Sequence, residues 1–152
     1  MINRILVATD ASAASNRALE MAVQFAVLHS AELLIVHVIR DMQIPFEIQE
    51  IPELEFNKFE AFSDAREEVM RKVAESILRT AKERAEKGGA GKVETAIGTG
   101  DPATSILGFA ERRKVDMIVL GTRGLGKLKG TVLGSVSRKI ANNAETSCLI
   151  VR

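Results

Sequence analysis

Tryptophan and tyrosine are absent from this chain, and phenylalanine occurs only six times in 152 residues. Aromatic platforms for stacking nucleobases are therefore scarce, which argues against single-stranded nucleic acid as a partner. A single cysteine, Cys148, excludes an internal disulfide framework and fits a reducing compartment. No apolar run approaches the roughly 20 residues of a membrane span. The first residues, Met1-Ile2-Asn3-Arg4-Ile5, enter an apolar strand with no signal-peptide layout, so a cytoplasmic protein is expected. Neither sign of charge dominates, with 21 Lys plus Arg against 20 Asp plus Glu. That balance gives no general pull toward nucleic acid or an anionic membrane, and any basic site must be local.

What is present is 46% hydrophobic and 27% charged, in a length that suits one domain with its own core. Four short runs are almost wholly apolar: Ile5–Ala8, Leu33–Val36, Met117–Leu120 and Cys148–Val151. Their length and β-branching predict strands buried on both faces. Val93–Ile97 alternates more and reads as an edge strand. Between them lie helical patterns. Ser12 or Ser15 can cap a helix with Ala18, Ala22 and Ala26 at four-residue spacing. A long helix is predicted from about Ser63, with an Asp64–Glu67 capping box, and Val69, Val73, Ile77, Ala81 and Ala85 on its apolar stripe. Gly88, Gly89 and Gly91 stop it. Asp101-Pro102 opens a third helix with Ala103, Ile106, Leu107 and Ala110 inward. A fourth starts near Leu133 with Val136 and Ile140. Strands alternating with helices predict an α/β fold, a parallel sheet covered on both faces. Residues 41–60 hold six acids, one base, Pro45 and Pro52. They read as a solvated loop or short helix, the alternative being a mobile flap over the ligand site.

In such a sheet, ligands bind beyond the carboxyl ends of the strands, where strand order reverses. The segment after the fourth strand is the most informative. Gly121, Gly124, Gly126, Gly130 and Gly134 fall within it, and from Gly121 to Lys139 it carries Arg123, Lys127, Lys129, Arg138 and Lys139 with no acid. Glycines let backbone amides turn toward an anion. Gly134-Ser135 then opens a helix whose free amides favour phosphate, and Ser135 and Ser137 add hydroxyls. Three near matches fail. Gly121 to Lys127 follows a Walker A loop, but Leu128 replaces the hydroxyl residue that binds magnesium. Gly98-Thr99-Gly100-Asp101-Pro102-Ala103 has dinucleotide spacing but follows a late strand, and Pro102 removes an amide. Asp10 with Asp101 suggests a phospho-receiver, but no lysine follows the fifth strand. Asp10 itself suits either a ligand hydroxyl or the cap of the first helix. His37 reads as a core residue, His29 as solvated and Cys148 as packed core. No Ser-His-Asp set, paired catalytic carboxylates or metal-ligand cluster stands out.

Gly121, Gly124, Gly134 and Ser135 match a spacing of Gly, two residues, Gly, nine residues, Gly, then Ser or Thr. With Ile5–Asp10, Leu34–Val38, Gly100–Ala103 before Ile106, and Asp116–Gly121, the whole chain resembles the ATP-binding branch of the universal stress protein family. The resemblance implies a five-stranded parallel sheet in the order 3-2-1-4-5, Rossmann-like. It implies ATP, with adenine held by the Val38 backbone and Asp10 and the Ala8 backbone beside the nucleoside. Gly121, Thr122, Arg123, Gly124, Gly126 and Lys127, with Gly134, Ser135, Val136 and Ser137, would hold ribose and phosphates. The family often carries proline where this chain has Ala8, a change of little effect if only backbone is used there. Any magnesium would be held mainly by the phosphates. The expected role is a stress-response or signalling module with an unidentified protein partner. A slow phosphoryl-transfer enzyme and a nucleotide-independent interaction module are the alternatives. No carboxylate or glutamine stands in the loop to orient a water, so any hydrolysis is expected to be slow. In that strand order the apolar fifth strand is an edge with nothing after Arg152 to cover it, which predicts a homodimer through Cys148–Val151.

Overall fold

The computed structural model describes residues 1–41, 53–122 and 133–152, except for the side chains of 53–57 and 59. Strands β1 (Arg4–Ala8), β2 (Glu32–Ile39), β3 (Val93–Thr99), β4 (Met117–Gly121) and β5 (Ser147–Val151) alternate with helices α1 (Ala13–His29), α2 (Glu53–Lys87), α3 (Pro102–Arg113) and α4 (Ser135–Asn143). The strands form one parallel sheet in the order β3-β2-β1-β4-β5, with β3 and β5 at its edges. β1, flanked on both sides, contributes the fully buried Ile5, Leu6 and Val7. Alternation then sorts side chains into two layers. Ile5, Val7, Leu33, Ile35 and Val119 meet α1 and α2, while Leu6, Leu34, Val36, Ile118 and Leu120 meet α3 and α4.

Small residues set the helix distances. Ala18, Ala22 and Ala26 of α1 are buried on the first layer. Ser12 caps α1, its side chain accepting from Ser15 N–H at 3.2 Å. Asp101 caps α3 in the same way at 2.9 Å from Thr104 N–H, with Pro102 next. Each such cap is worth about 1 kcal/mol. Gly88, with Gly89 at φ +94°, follows the end of α2.

The second helix departs from the sequence expectation. It begins at Glu53, so Asp64 and Glu67 lie inside it and are not a capping box, and residues 53–60 of the acidic connection are helical. Residues 42–52, where a flap was the alternative, lie outside the described residues. The buried stripe is Ala74, Leu78, Ala81 and Ala85, while Val69 and Val73 are 53% and 46% exposed. The upper part of the stripe is thus rotated by one residue, about 100° on a helix of 3.6 residues per turn. Ala74 allows close approach to the sheet where Val73 would hold the helix off. His29 is exposed, as expected, and stacks on Phe25. Cys148 is only half-buried, on the edge strand, and burial still pushes its thiol pKa up.

Candidate nucleotide-binding site

The sheet order reverses about β1: the chain steps outward to β2 and β3, then crosses back to β4 and β5. A sheet of this order has a crevice beyond the carboxyl ends of β1 and β4. Residues predicted from four separate stretches of sequence gather around it.

The turn after β1 is fixed by its own side chains. The Asp10 carboxylate accepts from Ser12 N–H at 3.0 Å, and the buried Thr9 hydroxyl accepts from Ala11 N–H at 3.2 Å. Thr9 Oγ1 also lies 3.2 Å from Ser15 Oγ, inside the first turn of α1. Ala11 sits at φ +63°, a left-handed conformation that costs an alanine on the order of 1–2 kcal/mol. These bonds hold it there and present the half-buried Asp10 at the crevice. Asp10 is thus an Asx-turn residue ahead of the cap; the cap of α1 is Ser12.

Beside it, the rungs between β1 and β2 end where Thr9 N–H donates to Val36 O at 2.9 Å. Backbone groups of alternate residues point to the same side of a strand. Those of Val38, two residues beyond Val36, therefore face the β1 side where β1 has stopped. Ala8, half-buried, is the last residue of β1. His37 is half-buried on the opposite face from Val38 and lies 2.8 Å from Thr9 O through Nδ1. A carbonyl only accepts, so Nδ1 carries the proton. His37 braces the turn, a role no sequence pattern announced.

On the other side of the crevice, Gly121 ends β4 against α1. A Cβ there would lie 2.7 Å from Ala14 C, 2.9 Å from Ala14 O and 2.9 Å from Ser15 N. The first glycine of the signature is thus required by packing between strand and helix. Thr122 follows, its N–H donating to Val151 O at 2.8 Å. Its carbonyl accepts from Gly134 N–H at 2.8 Å and lies 3.0 Å from the Ser137 hydroxyl, which is also 3.1 Å from Gly134 O. Ser137 is 3% exposed. Its hydroxyl, expected as a ligand donor, instead ties the two ends of the glycine segment together. Arg123, Gly124, Gly126 and Lys127 lie outside the described residues.

The fourth helix opens differently from α1 and α3. Gly134 occupies its N-cap with no side-chain hydrogen bond, so the first-turn amides of Ser135, Val136 and Ser137 have no capping oxygen among the described residues. Ser135 is exposed and Val136 half-buried. One of the bases counted in this region is already paired: Lys139 Nζ lies 2.9 Å from Asp101 Oδ2. The Thr104 hydroxyl, the Thr104 amide and Lys139 together hold the Asp101 carboxyl well below the usual carboxylate range. Among the described residues, no group of three or more His, Cys, Asp or Glu is placed to hold a metal ion.

The sequence profile of the universal stress protein family matches residues 1–152. This chain belongs to that family. The universal stress protein YxiE of Bacillus subtilis is 38% identical, with 100% of both chains covered. Among solved structures, the hypothetical protein MJ0577 superposes with a TM-score of 0.81 at 28% identity, covering 99% of this chain and 96% of that one. A universal stress protein in complex with cAMP superposes with a TM-score of 0.69, also at 28% identity, over 99% of this chain and 97% of that one. Both solved structures share the fold of this chain, and the second of them holds an adenine nucleotide. Among the described residues, no helix is long and apolar enough to cross a membrane.

Proposed function

We propose that this chain is an ATP-binding module of stress response or signalling. The observation that carries the reading is the uncapped first turn of α4, opening at the point where the sheet order reverses. Three amides without a capping oxygen among the described residues and the positive end of the helix dipole suit phosphate. The sequence supplies the bases Arg123, Lys127 and Lys129 to the same segment. The backbone of Val38 would hold adenine, and Asp10 with the Ala8 backbone would flank the nucleoside. Ser135 would donate its hydroxyl to phosphate; Ser137 would offer only its amide. Magnesium, where present, would come bound to the phosphates. The solved relative with cAMP supports an adenine nucleotide; the run of bases favours a triphosphate over a single phosphate. Mass spectrometry of nucleotide released from freshly purified protein tests this. ATP is expected, and release of a cyclic or monophosphate nucleotide alone would contradict the triphosphate reading.

The role of Ser137 separates from that of Ser135. Ser137→Ala removes one hydrogen bond from the loop stem, about 1 kcal/mol. Melting should fall by roughly 2–4 °C, and ATP should bind a few-fold more weakly because the loop ends are less well held. A large loss of affinity with an unchanged melting temperature would make Ser137 a direct contact instead.

We also propose a homodimer through β5. Thr122 N–H bonds to Val151 O, so alternation turns the backbone groups of Cys148 and Ile150 outward at this edge. Light scattering at micromolar concentration should give twice the 16.5 kDa chain mass. A monomer would sink the proposal.

A further inference from the structure

The opposite edge of the sheet carries a groove that the nucleotide reading does not use. Leu33 N–H donates to Lys92 O at 2.9 Å and Gly100 N–H to Ile39 O at 3.0 Å. Even-numbered residues of β3 therefore face β2, and the backbone groups of Thr95, Ile97 and Thr99 face out of the sheet. Alongside runs a cavity of about 450 Å³, lined by Ile97, Gly98 and Thr99 of the strand and by Ser105, Phe109 and Arg112 of α3. Gly98 sets its depth: a Cβ there would lie 2.2 Å from Ser105 Oγ and 3.1 Å from the Phe109 ring, so α3 can sit directly on the strand.

The charges around this groove are unevenly matched. Asp101, at one end, is paired with Lys139. Glu94, on the same strand, is paired with Arg113 and Lys92. The Arg112 guanidinium lies over the Phe109 ring at 4.9 Å and forms no ion pair among the described residues. A strand edge unpaired among the described residues, an aromatic floor and a cation with no ion pair among them thus share one groove.

We propose that this groove binds an extended, acidic peptide segment of a partner protein, which adds a strand to β3. Backbone pairing with Ile97 and Thr99 supplies affinity, as in strand addition generally. An apolar side chain lies on Phe109. A carboxylate two residues away, on the same face of the added strand, meets Arg112, and its planar fork suits bidentate pairing. The surface lies across the sheet from β5 and does not rest on the nucleotide reading.

Selection of a random dodecapeptide library displayed on phage against the full chain tests this, with selected peptides resynthesised and measured by fluorescence polarisation. The expected peptides carry an acid two positions from an apolar residue. Arg112→Glu, an exposed site, should weaken them about tenfold or more, the scale of a lost charge pair. Thr99→Pro removes an outward N–H while leaving the inner rungs, and should weaken them similarly. Glu20→Ala, on the exposed face of α1, should leave peptide binding unchanged. Peptides without acids, no enrichment, or binding untouched by both variants would overturn the proposal. So would loss of the dimer in Thr99→Pro, which would assign this edge to a second copy of the chain.

Discussion

Gly121→Ala should lower the melting temperature by several degrees, while Gly91→Ala leaves it unchanged. The new methyl of the first variant would lie 2.7–2.9 Å from the backbone of Ala14 and Ser15, closer than real Cβ contacts allow. Those atoms belong to the first turn of α1 and are tied to the Thr9–Ser12 turn by Ser15, so they cannot swing aside as a side-chain tip could. Overpacking of this kind costs roughly 1–3 kcal/mol, and in a chain of this length each kcal/mol shifts melting by roughly 2–4 °C. Gly91 has nothing within 4 Å of its missing Cβ and needs no left-handed backbone, so alanine fits there. The displaced α1 terminus also carries the turn that presents Asp10, so nucleotide affinity should fall with stability. A Gly121→Ala protein that melts with the parent would show that this glycine serves the loop alone.

That result bears on how much of the site was legible in the sequence. Runs such as Ile5–Ala8 and Met117–Leu120 announced buried strands because central parallel strands are apolar on both faces. The caps Ser12 and Asp101 were legible because their chemistry is local. The stripe of α2 was not: Val73 and Ala74 are both acceptable inward residues, and only the clearance between helix and sheet decides between them. Motif spacing makes Gly121 a phosphate glycine, yet its clash partner lies about a hundred residues earlier in the chain. The same spacing groups Ser137 with Ser135. One side chain is exposed at the start of α4 and the other is buried under the loop ends, a difference set by the helical turn. The pairing of Lys139 with Asp101 likewise joins residues that no local pattern links.

Ser135→Ala and Gly124→Val should produce the largest losses of ATP affinity without loss of fold. Ser135 is exposed at the first position of α4, where its hydroxyl supports nothing else among the described residues. A hydrogen bond to a charged phosphate is worth roughly 1.5–3 kcal/mol, so its removal should weaken ATP binding by roughly ten- to a hundredfold. Gly124 is the second glycine of the signature, placed where backbone would approach phosphate closely. On the proposed reading valine would add a clash with phosphate to the lost backbone freedom, and its effect should exceed that of Ser135→Ala. Lys58→Ala serves as the control, since Lys58 is exposed near the start of α2, outside the proposed site residues, and should leave affinity unchanged.

Calorimetric titration of Gly124→Val with ATP, beside the parent and with melting curves for both, is the most direct test that the glycine segment is the phosphate site. The parent should bind ATP saturably, and the variant should melt with the parent yet bind more than a hundredfold more weakly, a loss of about 2.7 kcal/mol or more. A folded Gly124→Val protein that binds ATP as the parent does would contradict the account.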